Sequence, residues 1–163
     1  MKAFKKLTLV ALLLIGSTVA YAQLPAVTLK TIEGKTVNTA KLSNDGKPFV
    51  ITFFATWCKP CHRELKAIHE VYPDWQDETG MKVIAVSIDE GQNVNKVKPL
   101  VDASAWEYEV LLDSNGDFKR AMGVSTIPAL FIIDGNGKIV DRHTGYTDGS
   151  EENIIEKIRE LLN

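Results

Sequence analysis

The stretch "TWCKPCH", Thr56–His62, carries two incompatible patterns. Read as C-x-x-C-H it is a site of covalent haem attachment. Read as W-C-x-P-C it is a dithiol that cycles between reduced and oxidised states. The flanking chain bears on the choice. Upstream, "KPFVITFFAT" (Lys47–Thr56) is an apolar run rich in Val, Ile, Thr and Phe and predicts a buried strand. Downstream, Cys61, Leu65, Ile68, Tyr72 and Trp75 recur at spacings of four, three, four and three. That is one face of a helix, with Pro73 expected to end or kink it. The cysteines therefore fall where a strand becomes a helix. Unpaired N–H groups and the dipole at a helix N-terminus favour a thiolate at Cys58, with its sulfur at the exposed edge. Cys61, one turn in on the apolar face, is expected to be deeper and the poorer initial attacker. Pro60 falls near the first turn, where its missing N–H costs nothing and its fixed φ stiffens the loop. Lys59 adds a positive charge beside the thiolate.

Farther out, "AVTLKT" and "KTVN" flank "IEGK" and predict an N-terminal hairpin turning near Gly34. "MKVIAVSI" (Met81–Ile88) reads as another buried strand, Asn93–Ala103 as a weakly patterned helix containing Pro99, and "YEVLL" (Tyr108–Leu112) as a short strand. "DSNGDFKRAMGV" gives a turn and a short helix ending near Gly123, and "ALFIID" and "KIVDRHTG" flank "GNG" (Gly135–Gly137) as an antiparallel hairpin. Ser150 is the expected N-cap of a last helix whose apolar face is Ile154, Ile155, Ile158, Leu161 and Leu162. Continuous apolar strands alternating with helices mean a mixed α/β sheet covered on both faces.

The first residues read differently. Lys2, Lys5 and Lys6 precede the apolar run "LTLVALLLI", and Ala20-Tyr21-Ala22 supplies the small residues of a cleavage site. Residues 1–22 are thus expected to be a secretory signal peptide, and residues 23–163 one domain. The run is short for a membrane span, and Gln23, not cysteine, follows the cleavage point, which closes the lipoprotein route. Removing the three signal lysines leaves 16 basic against 21 acidic residues, a formal charge of −5. No basic stripe exists to grip phosphate, so nucleic acid is excluded as a partner class. Only two cysteines occur in this exported chain, too close together to act as a useful staple: the loop they close gives about 2 kcal/mol at best. Their closeness suits exchange chemistry.

"FFATWCKPC" after a buried strand, followed about 65 residues later by "GVSTIPALFIID", resembles the thioredoxin superfamily. Within it the chain is similar to the TlpA/ResA-like extracytoplasmic thiol-disulfide oxidoreductases, several of which serve cytochrome c maturation. The resemblance covers nearly all of residues 23–163 and implies a thioredoxin fold: a central mixed β-sheet flanked by helices, with an N-terminal β-hairpin and a helix–strand insertion at Asn93–Leu112. It implies an enzyme without cofactor or metal, acting in the periplasm as a monomer. Its partners would be disulfide-containing proteins and a membrane or periplasmic electron donor, with membrane contact only through the transient signal peptide. On that reading Cys58 attacks the target and Cys61 resolves the mixed disulfide. Pro128 is implied to be cis, with Ile127 offering main-chain hydrogen bonds to substrate. Trp57 lies as a lid over the dithiol edge, and Glu64 modulates cysteine acidity beside the tuning residues Lys59 and Pro60. Thr52 departs from the pattern, since thioredoxins carry a buried aspartate there; Glu64 or water would have to move the proton of Cys61.

Rival readings remain on the residues themselves. Haem attachment needs His62 as proximal ligand and a distal ligand, for which neither Met81 nor Met122 is clearly placed. A zinc site would have to use the adjacent Cys61 and His62, which converge poorly on one ion. A peroxide-reducing relative would use a single low-pKa cysteine, with Thr56 two residues before Cys58, but its upstream proline is missing. A non-catalytic module on the same fold would be expected to have lost a cysteine.

Overall fold

The computed structural model describes residues 23–163; the expected signal peptide, residues 1–22, lies outside the described residues. The chain runs through an N-terminal hairpin, β1 (Thr28–Thr31) and β2 (Thr36–Asn38), and then β3 (Phe49–Phe54), α1 (Lys59–Thr79) and β4 (Lys82–Ser87). A 3-10 segment (Gly91–Lys96) leads into α2 (Val97–Ser104) and β5 (Glu109–Leu112). α3 (Asp117–Ala121), the hairpin β6 (Ala129–Ile133) and β7 (Ile139–Thr144), and α4 (Glu152–Leu162) complete it.

The strands make one seven-stranded sheet in the order β2-β1-β5-β4-β3-β6-β7. β3, β4 and β5 are parallel, whereas β6 runs antiparallel to β3, and β1 antiparallel to β5. The segment leading into β5 therefore ties the N-terminal hairpin to the rest of the sheet. Every residue of β3 is buried, as a strand covered on both faces requires. Alternation along β3 sorts the layers. Thr52 and Phe54 face α1: Thr52 reaches Glu64, and Phe54 meets Trp106, which with Tyr108 and Tyr72 forms an aromatic chain. Phe53 points the other way, against Phe118 of α3 and Phe131 of β6.

Two expectations are corrected. Pro73 neither ends α1 nor lies near its end: the helix continues to Thr79 and stops at Gly80, whose φ of 65° is the left-handed C-cap conformation. A proline inside a helix costs about 3 kcal/mol. Tyr72 and Trp75, both buried on either side of it, offset that through the roughly 1.5–3 kcal/mol that burial of each large side chain contributes. Nor does Ser150 cap α4. Its hydroxyl accepts the Thr147 N–H, and the residue before the helix is Glu151, whose carboxylate takes the Gly149 N–H and the Tyr146 hydroxyl. The loop's own hydrogen bonds compete with the cap and win.

Candidate active site

Cys58 stands immediately before α1, with extended backbone (φ −92°, ψ 97°), and its sulfur accepts the Cys61 N–H at 3.3 Å. The side chain thus caps the helix where the orphan N–H groups of the first turn gather. Cys58 and Cys61 are joined by a disulfide. Cys61 is fully buried. Cys58 is only 5% exposed, so its sulfur is less open than an exposed edge would be, though it remains the more accessible of the two. Lys59 and Pro60 are the first two residues of the helix; Lys59 is exposed and Pro60 half-buried. Trp57 is 63% exposed, the larger of the two exposed apolar side chains among the described residues.

The Ile127–Pro128 peptide bond is cis. Pro128 is buried and its carbonyl accepts the Gly145 N–H from the loop after β7. Ile127 is half-buried, and its main chain makes no hydrogen bond among the described residues.

Glu64 is where sequence and structure meet least simply. It is 4% exposed, on the stripe of α1 that faces the sheet one turn beyond Cys61. Thr52 donates its hydroxyl to Glu64 Oε2 at 2.7 Å. Burial pushes the carboxyl up to about 7, with the Thr52 hydrogen bond pulling the other way. The buried acid that Thr52 does not supply from the strand is supplied by the helix. Glu64 also lines a cavity of about 350 Å³ with Leu130, His143, Tyr146, Glu151 and Ile154, so the carboxyl borders open space.

The residues that raised rival readings are engaged elsewhere. His62 Nε2 lies 3.2 Å from the Ala55 carbonyl. Thr56 gives both its N–H and its hydroxyl to Asp89, at 2.8 and 2.6 Å. Asp89, missed in the sequence, is 1% exposed and also accepts the Ser87 hydroxyl. A charged residue closing the strand "KVIAVS" was the available signal.

The profile described as "AhpC/TSA family" matches residues 21–142. The chain belongs to the AhpC/TSA family. Among its relatives, the thiol-disulfide oxidoreductase ResA of Bacillus thuringiensis is 32% identical over 135 residues, 82% of this chain and 75% of that protein. The sporulation thiol-disulfide oxidoreductase A of Bacillus subtilis is 31% identical over 117 residues, 71% of this chain and 68% of that one. The solution structure of an uncharacterized thioredoxin-like protein from Porphyromonas gingivalis is 75% identical and superposes with a TM-score of 0.77, covering 86% of this chain and 92% of that one. This member of the AhpC/TSA family is thus a thiol-disulfide oxidoreductase on a thioredoxin-like fold, with its cysteine pair at Cys58 and Cys61.

Proposed function

We propose that the protein reduces disulfides of partner proteins outside the cytoplasm, with Cys58 as nucleophile and Cys61 as resolving thiol. The reading is carried by one observation: the Cys58 sulfur caps α1 while Cys61 lies fully buried behind it. A reduced Cys58 at that cap draws on the N–H groups that stabilise a thiolate. It attacks one sulfur of the target disulfide, forming a mixed disulfide and expelling the other target sulfur as thiolate. Cys61 then attacks Cys58, forming the Cys58–Cys61 bond and releasing the second target thiolate. Glu64, buried one turn on and titrating near neutrality, accepts the Cys61 proton. Ile127, unpaired before the cis Pro128, offers main-chain hydrogen bonds to the extended target segment. Lys59, Pro60 and the exposed Trp57 frame the dithiol.

Export by a signal peptide over residues 1–22 places this chemistry in the periplasm, where target disulfides form. Among the described residues no helix is long and apolar enough to cross a membrane. Apocytochromes c awaiting haem, whose paired cysteines must be reduced first, are the target class that the ResA resemblance favours. A membrane or periplasmic donor would re-reduce the disulfide.

The test is a pair of variants offered to disulfide-bearing periplasmic proteins. Cys58→Ser is expected to abolish turnover and to trap nothing, whereas Cys61→Ser accumulates mixed disulfides visible on non-reducing gels. Equal trapping by the two would overturn the assignment of roles.

A further inference from the structure

β3 and β4 run parallel in register, Phe54 beside Ser87, so the two chains leave the sheet together. One continues through Ala55, Thr56 and Trp57 to Cys58, and the other through Ile88 to Asp89. The Asp89 carboxylate gathers three donors. Oδ2 accepts the Thr56 N–H at 2.8 Å and the Ser87 hydroxyl at 2.9 Å, while Oδ1 accepts the Thr56 hydroxyl at 2.6 Å. Ser87 Oγ in turn accepts the Asp89 N–H at 3.1 Å, so the carboxylate is itself held in place. An acceptor-only group suits three converging donors. Hydrogen bonds to charged groups are also the strong ones.

We propose that Asp89 is a positioning residue for the dithiol: its buried carboxylate clamps Thr56, two residues before Cys58, and so fixes where the first sulfur stands at the start of α1. This rests on the exchange reading above and extends it to a residue outside the cysteine motif. The clamp has two separable effects. It restrains the loop that presents Cys58, and misplacing a reacting group is costly in rate. It also sets a negative charge behind that loop, which opposes the thiolate and so favours the disulfide. Lys59, His62 and Glu64 of α1 and Glu90 beside Asp89 are the other titratable groups nearby in the chain, and all remain in each variant below.

Two mild substitutions separate the effects. Asp89→Asn removes the charge but keeps the shape: its carbonyl can take the Thr56 N–H and Ser87 bonds while its amide donates to the Thr56 hydroxyl. Thr56→Val removes the hydroxyl arm and leaves the charge and the N–H bond. Each purified protein is equilibrated in a glutathione series and assayed for reduction of insulin disulfides. In the glutathione exchange the two thiols form the Cys58–Cys61 bond as the glutathione disulfide breaks into two thiols.

Asp89→Asn is expected to move the equilibrium roughly fivefold toward the reduced protein, the effect of losing a nearby like charge. Thr56→Val leaves the equilibrium within about twofold but lowers insulin turnover roughly tenfold, as a loosened nucleophile should. Either variant matching wild type in both readouts, or Asp89→Asn moving toward the oxidised protein, overturns the proposal. A wild-type protein that fails to exchange with glutathione at all removes the exchange reading itself, before any variant is compared.

Discussion

At the scale of single residues, Glu64 gives the most direct pH signature. Folded Glu64 holds its proton up to about 7, whereas the ordinary value is 4.5. Below 4.5 both folded and unfolded chains are protonated and the contribution to stability is fully present. As pH rises through 7 the folded carboxyl must ionise in a buried site, and the contribution is lost. Glu64→Gln stays neutral throughout, so its stability relative to wild type is expected to rise between pH 4.5 and 8, by on the order of 3 kcal/mol. Urea unfolding of the oxidised proteins at pH 5 and pH 8 reads the difference; a gap independent of pH would show that burial does not hold the proton. The cysteine pair, the cis proline and the interest of Glu64 were all legible in the sequence because each belongs to a motif with fixed spacing. That Glu64 is buried was not, because a polar residue on an apolar stripe reads equally as an edge position. Its partner Thr52 is distant in sequence, and only the sheet brings the two together. Asp89 was illegible for the same reason: its meaning lies in Thr56, across two strands.

At the scale of elements, the alternation of strand and helix was readable from apolar runs, and their order in the chain matches it. What the runs do not encode is where competing local interactions settle a boundary, as at Pro73 and Ser150. The hairpin turn at "GNG" shows a subtler case. Its glycines look interchangeable, yet Gly137 has a φ of 80° while Gly135 is glycine for want of space. A Cβ on Gly135 would run into the backbone carbonyl of Gly46, with the carbonyl carbon at 2.6 Å. At Gly80 an added Cβ meets only the flexible end of the Lys47 side chain, in a left-handed cap. Gly80→Ala is expected to cost about 1 kcal/mol, the usual penalty for a side chain in that conformation. Gly135→Ala should cost about 3 kcal/mol, because backbone must move to admit it. Urea midpoints at unchanged slope compare the two, and the reverse order would show the loop around Gly46 to be freely displaceable.

At the scale of the whole molecule, the direction of electron flow becomes a statement about folding. A dithiol can be oxidised before or after unfolding, and the cycle closes. The stability of the oxidised form minus that of the reduced form therefore equals the gap between the unfolded and folded reduction potentials. Two terms favour the oxidised fold. Cross-linking cysteines three residues apart removes entropy from the unfolded chain worth about 2 kcal/mol. The buried Asp89 carboxylate, two strands' ends away from solvent, opposes a thiolate on the loop it clamps. Against them stand the cap N–H of Cys61 and the exposed charge of Lys59, the latter weakened by water. The buried and covalent terms outweigh the exposed one, so the oxidised protein is expected to be more stable by about 2 kcal/mol. That corresponds to a folded potential about 40 mV below the unfolded one, as a reductant requires. Parallel urea titrations of the oxidised and the fully reduced protein measure the gap at pH 7. A reduced form that outlasts the oxidised one would make the thiolate the favoured state and turn the protein from a reductant into an oxidant of its partners.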